Sequence, residues 1–304
     1  MHRLAHLPGA GLPALALIFN AFTWGVSWWP FRQLQAQGLH PLWATTLIYS
    51  LAVLAITLWR PRAWKQLFSM PALWVLVLAA GSTNASFNWA VTLGDVVRVV
   101  LLFYLMPLWA VLLARALLGE RITGPALLRV GMALAGAAIV LWPGPGSADA
   151  GTWLPLPRTL AEWLGVVGGF SFALNNVMLR REAERPPEAR ALAMFLGGAA
   201  VAAVLALSLA APGAGHPGVP MPPAPAWGWL LGALALAAAF LAGNLALQYG
   251  ASRLPANVTA VVMITEVLFA SASAVLLGAG TLTLPLVLGG TMIVGATLLS
   301  ARGR

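Results

Sequence analysis

Long apolar runs follow one another along the chain, separated by short polar or Pro/Gly-rich breaks. Ten runs stand out, at 13–33, 41–59, 71–92, 96–118, 124–142, 160–180, 190–211, 227–249, 255–277 and 284–301. A bilayer core takes roughly 20 apolar residues per helix, and each run has about that length. The breaks carry turn chemistry. Gly38 to Pro41 separates the first two runs, and Arg60-Pro61-Arg62 and Met70-Pro71 bracket the next gap. Gly94-Asp95 and Gly119-Glu120 follow. The Pro- and Gly-rich stretch 143–159 and the Pro-rich, uncharged stretch 212–226 read as exposed loops.

The runs also repeat. The segment Phe22 to Trp29 and the segment Phe170 to Val177 sit at matching points of the two halves. Three more pairs follow in order. Asn88 before Gly94 matches Asn244 before Gly250. Met106 to Ala110 matches Glu266 to Ala270. Gly131 and Gly136 match Gly290 and Gly295. Each half then holds five helices, and an odd number makes the second half enter the bilayer from the opposite side. Inverted repeats of this kind build transporters, with the substrate near the midplane between the halves. The expected fold is an all-α membrane protein of ten transmembrane helices, in two inverted five-helix repeats around a central cavity. Residues 1–145 form the first repeat, 146–159 an external loop and 160–304 the second repeat.

Composition agrees. The 304 residues are 60% hydrophobic and only 8% charged, against about 25% charged in soluble domains, so the lipid bilayer is the expected surroundings. The net charge of +9 does not point to nucleic acid, because the basic residues lie in short loops. With the N-terminus inside, 14 of the 17 Lys and Arg fall on the inner side, and only Arg32, Arg98 and Arg158 fall outside. Both termini are then cytoplasmic. The first run is long enough to span and lacks a cleavage signature, so it reads as a retained helix. The absence of cysteine excludes disulfides and thiolate metal sites. His2, His6, His40 and His216 show no metal-ligand spacing, and no cofactor or metal is expected.

Several motifs resemble the EamA-type drug/metabolite transporters. They are Trp24-Gly25, Met106-Pro107-Leu108, Leu118-Gly119-Glu120, Thr265-Glu266-Val267 and the glycines of the fifth and tenth runs. Trp28 to Arg32 followed by Gly38 to Ala44 looks most like the bacterial aromatic amino-acid exporters. Two positions depart from the pattern: Val267 replaces a proline, and Gly280 replaces the acid that Glu120 supplies in the first half. The resemblance implies a cavity lined by the first, third, fourth, sixth, eighth and ninth helices, with the fifth and tenth behind. It also implies outward transport of small metabolites across a bacterial cytoplasmic (inner) membrane.

Polar residues in lipid normally face the bundle interior, and helical spacing groups them. Asn20, Trp24 and Ser27 share one face; Asn84 and Asn88, Ser171 and Asn175, and Asn244 and Gln248 form three more pairs. These are the candidate substrate-binding residues, although such side chains also serve as interhelical glue. Tyr104 and Trp24 lie deep enough to offer aromatic faces, and Trp163 reads as either belt or outer gate. Trp59, Trp64, Trp142, Trp227 and Trp229 read as an interfacial belt. Gly165 and Gly169 read as a close-packing pair. Glu266 is the one acid deep in a run; it reads as a structural carboxylate first and a proton-coupling group second. Asp95 and Arg98 read as a local ion pair.

Amides, hydroxyls and aromatic faces with few fixed charges suit a zwitterion with an apolar side chain. The reading is therefore a secondary exporter of aromatic or hydrophobic amino acids working as a monomer by alternating access. A broad drug or nucleobase exporter is the alternative. A membrane-embedded enzyme would need a nucleophile–base pair or metal ligands within the helices, and the runs offer neither.

Overall fold

The computed structural model describes residues 11–119, 122–141, 156–212, 218–251, 262 and 265–302. Among them the regular structure is helical, with no strand. The first apolar stretch is broken into α1 (Gly11–Val26) and α2 (Trp28–Ala36). Pro30 explains the break: it lacks the amide that would bond the Val26 carbonyl. The Ser27 hydroxyl donates to the Trp24 carbonyl at 2.8 Å in the same place. Gly38, with φ +87°, turns the chain. Helix α3 (Pro41–Trp59) then starts on a proline, and His40 Nδ1 accepts from the Leu42 amide at 3.2 Å.

Helix α4 (Arg62–Ser69) is short and lies 106° off the axis of α5 (Ala72–Leu93). It buries Ala63 and Leu67, one turn apart, and leaves Arg62 and Lys65 exposed. A second break separates α6 (Val96–Phe103) from α7 (Met106–Leu118). Pro107 cannot donate to the Phe103 carbonyl. The freed carbonyl is covered by α9 (Leu160–Arg181), whose Gly169 sits so close that any Cβ there would overlap the Phe103 oxygen. A Cβ on Gly165 would lie 3.1 Å from the Val99 carbonyl. The Gly165/Gly169 spacing is therefore a packing device. Thr159 and Glu162 close a capping box at the start of α9.

Helix α8 (Gly124–Leu141) packs chiefly on α13 (Leu284–Arg302). Gly136 and Gly289 meet backbone to backbone, where a Cβ on either would stand 2.6 or 2.5 Å from the other's carbonyl oxygen. The remaining helices are α10 (Pro187–Ser208), α11 (Trp227–Ala251) and α12 (Thr265–Leu276). Helix α10 lies against α3, α4 and α5; α11 lies against α1; α12 lies against α1 and α6.

Five helical stretches are long and apolar enough to cross a membrane, or six with the bent α4–α5 pair. They are Gly11–Ala36, Pro41–Trp59, Val96–Leu118, Pro187–Ser208 and Trp227–Leu247. Helices α8, α12 and α13 are apolar and shorter in their described parts, and α9 is less apolar because it carries Asn175 and Asn176. Leu54, Leu78, Leu234 and Leu245, all in helix interiors, are at least half exposed. Leucines so placed belong in lipid, and the chain is a multi-pass membrane protein.

Some boundaries differ from the sequence pattern. The seventh helix starts at Pro187, because a Pro-Pro pair opens it with fixed φ. Most of the 146–159 loop and the start of the 255–277 run lie outside the described residues, as does Trp142. Trp59 and Trp227 are exposed at helix ends as a belt requires, but Trp229 is buried, its indole N–H donating to the Ala224 carbonyl at 3.1 Å.

Candidate functional site

A cavity of about 580 Å³ opens between α1, α3, α5, α6, α9, α10, α11 and α12. The described side chains of α8 and α13 take no part in its lining. Each wall is a stripe at helical spacing. Helix α5 presents Ala80, Thr83, Asn84 and Phe87; α9 presents Phe172, Asn175, Asn176 and Leu179; α10 presents Pro187, Arg190, Ala191 and Met194. These are i, i+3, i+4 and i+7 positions, one face of a helix. Asn20 and Trp24 come from α1, Tyr49 from α3, Asn244 and Leu247 from α11, and Glu266 from α12.

Aromatic rings make much of the wall. Trp24 stacks on Phe240 with centroids 4.4 Å apart. Phe103 contacts Phe87 at 5.0 Å and Phe172 at 5.3 Å. The amides are held by backbone. Asn20 Nδ2 donates to the Gly243 carbonyl at 2.8 Å, Asn84 Nδ2 to Ala80 at 2.7 Å, and Asn244 Nδ2 to Phe240 at 2.9 Å. The Tyr49 hydroxyl donates to Asn84 Oδ1. The oxygens Oδ1 of Asn20 and Asn175 are buried without a partner. Buried acceptors left open in a cavity wall are the groups a bound molecule would satisfy.

Five of the candidate residues thus share this cavity: Asn20, Trp24, Asn84, Asn175 and Asn244, together with Glu266. The others stand elsewhere. Ser27 is buried at the α1–α2 break. Asn88 is fully buried on the seam with α3, where Nδ2 donates to Thr45 Oγ1 at 3.0 Å. Ser171 is buried beside, not on, the cavity stripe of α9. Tyr104 is buried behind the wall, its hydroxyl donating to Glu266 Oε2 at 3.2 Å. Trp163 is half exposed and lines no part of the cavity. The side chain of Gln248 lies outside the described residues.

Arg190 and Tyr49 are among the cavity residues that the sequence did not signal. Arg190 falls at the first position of an apolar run and reads there as a loop charge. With the helix starting at Pro187, it is one turn inside. Tyr49 sits in a run of apolar neighbours with nothing to single it out.

The cavity reaches Leu179, Pro187 and Arg190 at one end of the bundle and stops short of the other. There a dense cluster built on Val96 to Leu105, with Trp28, Phe87, Val91 and Ala161, fills the space. Polar contacts fasten that end. Arg98 Nε pairs with Glu162 Oε1 at 2.6 Å. Arg32 Nε donates to the Val91 carbonyl at 2.9 Å. The Trp28 indole donates to Ser273 Oγ at 2.9 Å. Asp95 is not the ion-pair partner of Arg98: its Oδ1 caps α6 by accepting from the Arg98 amide, and its Oδ2 accepts from the Thr281 amide. Glu162 is better placed, because the capping box holds its side chain between the two helix starts. A second hollow of about 380 Å³ lies around this ion pair and shares no residue with the first.

Comparison with known proteins meets this geometry. Residues 11–142 match the EamA-like transporter family. The match supports a membrane transporter of the drug/metabolite superfamily rather than an enzyme. A solved structure, titled only as the crystal structure of a protein, is similar in fold with a TM-score of 0.57. It is 20% identical and the likeness covers 95% of this chain and 96% of that one. No curated protein matches the sequence.

Proposed function

We propose that the chain is a secondary exporter of aromatic or hydrophobic amino acids, working as a monomer by alternating access in a bacterial cytoplasmic membrane. The cavity carries this reading. It has a volume typical of small-molecule sites, roughly 300–1,000 Å³. Its lining of aromatic rings and asparagines offers flat apolar contact beside hydrogen-bonding groups. It is closed at the α6 end and reaches the α10 end, the arrangement of a carrier facing one side.

We read the ten runs as ten spans in two inverted halves, with both termini inside. The packing supports this. Exchanging the halves turns the α5–α9 contact into α11–α1, α6–α9 into α12–α1, and α5–α10 into α11–α3. The pairs α3–α10, α6–α12 and α8–α13 map onto themselves. Each of these contacts is present. In that orientation the cavity faces the cytoplasm, where an exporter loads.

The test is transport by the purified protein in liposomes against a panel of amino acids, amines and nucleobases. Saturable movement of phenylalanine, tryptophan or leucine is the expected result. Preference for nucleobases or cationic drugs replaces the amino-acid reading, and flux linear in concentration replaces a carrier with a channel.

A further inference from the structure

We propose that Arg190 is a carboxylate-binding subsite at the mouth of the cavity, holding the acid group of the transported solute. The proposal rests on the transport reading above and narrows it to solutes that carry a carboxylate.

Arg190 is the fourth residue of α10 and shares its lining stripe with Pro187, Ala191 and Met194. Its Nε is shielded from water and has no hydrogen-bond acceptor. The acids around it are engaged elsewhere. Glu188, two residues away, accepts from Gln66 of α4 at 3.1 Å. Glu182 is paired with Arg181 at 3.6 Å and Arg185 at 3.1 Å. Glu266, the carboxylate that lines the cavity, belongs to α12 and accepts from Tyr104. Among the described residues no carboxylate lies within ion-pair reach of Arg190. A guanidinium donor withdrawn from water and left without an acceptor is costly. It persists at a cavity mouth where an incoming ligand supplies the acceptor.

The rest of the wall says which ligand. In the wall, Oδ1 of Asn20 and Oδ1 of Asn175 are the buried acceptors left open among the described residues. Acceptor oxygens, and Glu266 with them, suit an ammonium group and repel an anion. Among the described residues Arg190 is the one cationic side chain of the lining, and it gives an anionic group a favourable place to go. A single guanidinium matches a carboxylate through two parallel hydrogen bonds. A phosphate would call for more positive charge than the lining holds. The zwitterion is then oriented, with its acid end on Arg190 and its ammonium toward the open oxygens of Asn20 and Asn175.

The experiment compares three matched probes in liposomes: phenylalanine, phenylalaninamide and 2-phenylethylamine. Wild type, R190Q and R190K are assayed. In R190Q the KM for phenylalanine should rise about ten-fold or more, the loss of a charge-assisted pair, while the two probes lacking the acid change by less than about two-fold. R190K should recover part of the loss. Retained transport of the amide and amine shows that R190Q is folded. Equal loss on all three probes, or an unchanged KM for phenylalanine, overturns the subsite and leaves export intact. A wild type that moves the amide and amine but not phenylalanine overturns both. Thermal stabilisation of the detergent-purified protein by 3-phenylpropionate separates the two claims. If no probe is transported yet 3-phenylpropionate stabilises wild type and not R190Q, export fails and the subsite stands. If it stabilises neither, the subsite fails as well.

Discussion

The carboxamide of Asn88 is fully buried and bonded to Thr45, whereas that of Asn244 lines the cavity. Replacing each by leucine therefore has different consequences. Asn88→Leu removes a buried hydrogen bond and should lower stability by about 1–3 kcal/mol, read as a fall in the melting temperature of purified protein, with KM unchanged. Asn244→Leu should raise KM about two- to ten-fold, from a contact of roughly 0.5–1.5 kcal/mol, with little thermal change. Glu266 accepts from Tyr104 and faces the cavity. Gln at this position keeps the shape and that bond but cannot exchange a proton, so Glu266→Gln should retain most transport. A response to an imposed pH gradient that is present in wild type and absent in the variant would reassign Glu266 to coupling. Helical spacing groups the polar residues into stripes but does not allot them to cavity or seam. Asn84 and Asn88 differ by one turn, and that residual rotation carries one into the cavity and the other onto the α3 seam. Which neighbour flanks a stripe is a tertiary fact that spacing along one helix does not contain. Arg190 escaped for another reason: a three-residue shift in a helix start moved it from loop to wall.

At the scale of elements, the helices were largely legible because lipid leaves the backbone no other way to satisfy itself. The interior breaks were not. Pro30 and Pro107 lie inside apolar runs, and a proline in a membrane helix is compatible with either a kink or an uninterrupted span. Here both divide a run in two. The second break leaves the Phe103 carbonyl against Gly169. Gly169→Ala should therefore destabilise by about 1–3 kcal/mol through overpacking. Gly131 pairs in sequence with Gly290, yet it faces open space, with no neighbour in reach of an added methyl group. Gly131→Ala should be neutral or stabilising by up to about 1 kcal/mol. A scan of melting temperatures for both variants checks the contrast. His40 offers a pH test at the start of α3. Burial holds its pKa down, from 6.5 to about 4. The folded protein takes up this proton less readily than the unfolded chain, so its contribution is complete above pH 6.5 and declines as pH falls toward 4. Thermal melts from about pH 7 to 4 should show less acid destabilisation in His40→Asn, which can accept from the Leu42 amide without titrating.

For the whole molecule, the absence of cysteine makes orientation directly measurable. Single cysteines at Gln37, Lys65 and Glu184 occupy exposed positions. In intact cells an impermeant thiol reagent should label Gln37→Cys only; Lys65→Cys and Glu184→Cys should require permeabilisation. Labelling of all three from outside would end the inverted-repeat reading. The two separate hollows then have a pharmacological meaning. The plug from Val96 to Phe103 stands between the hollow at Arg98 and Glu162 and the cavity that would hold the cargo. If the cavity faces the cytoplasm, as proposed above, a competitive blocker added to the growth medium meets only the hollow at Arg98 and Glu162 while the protein rests in this state. It must cross the bilayer by itself and approach from the cytoplasm, so a screen run on whole cells would select for membrane permeability before it selected for affinity.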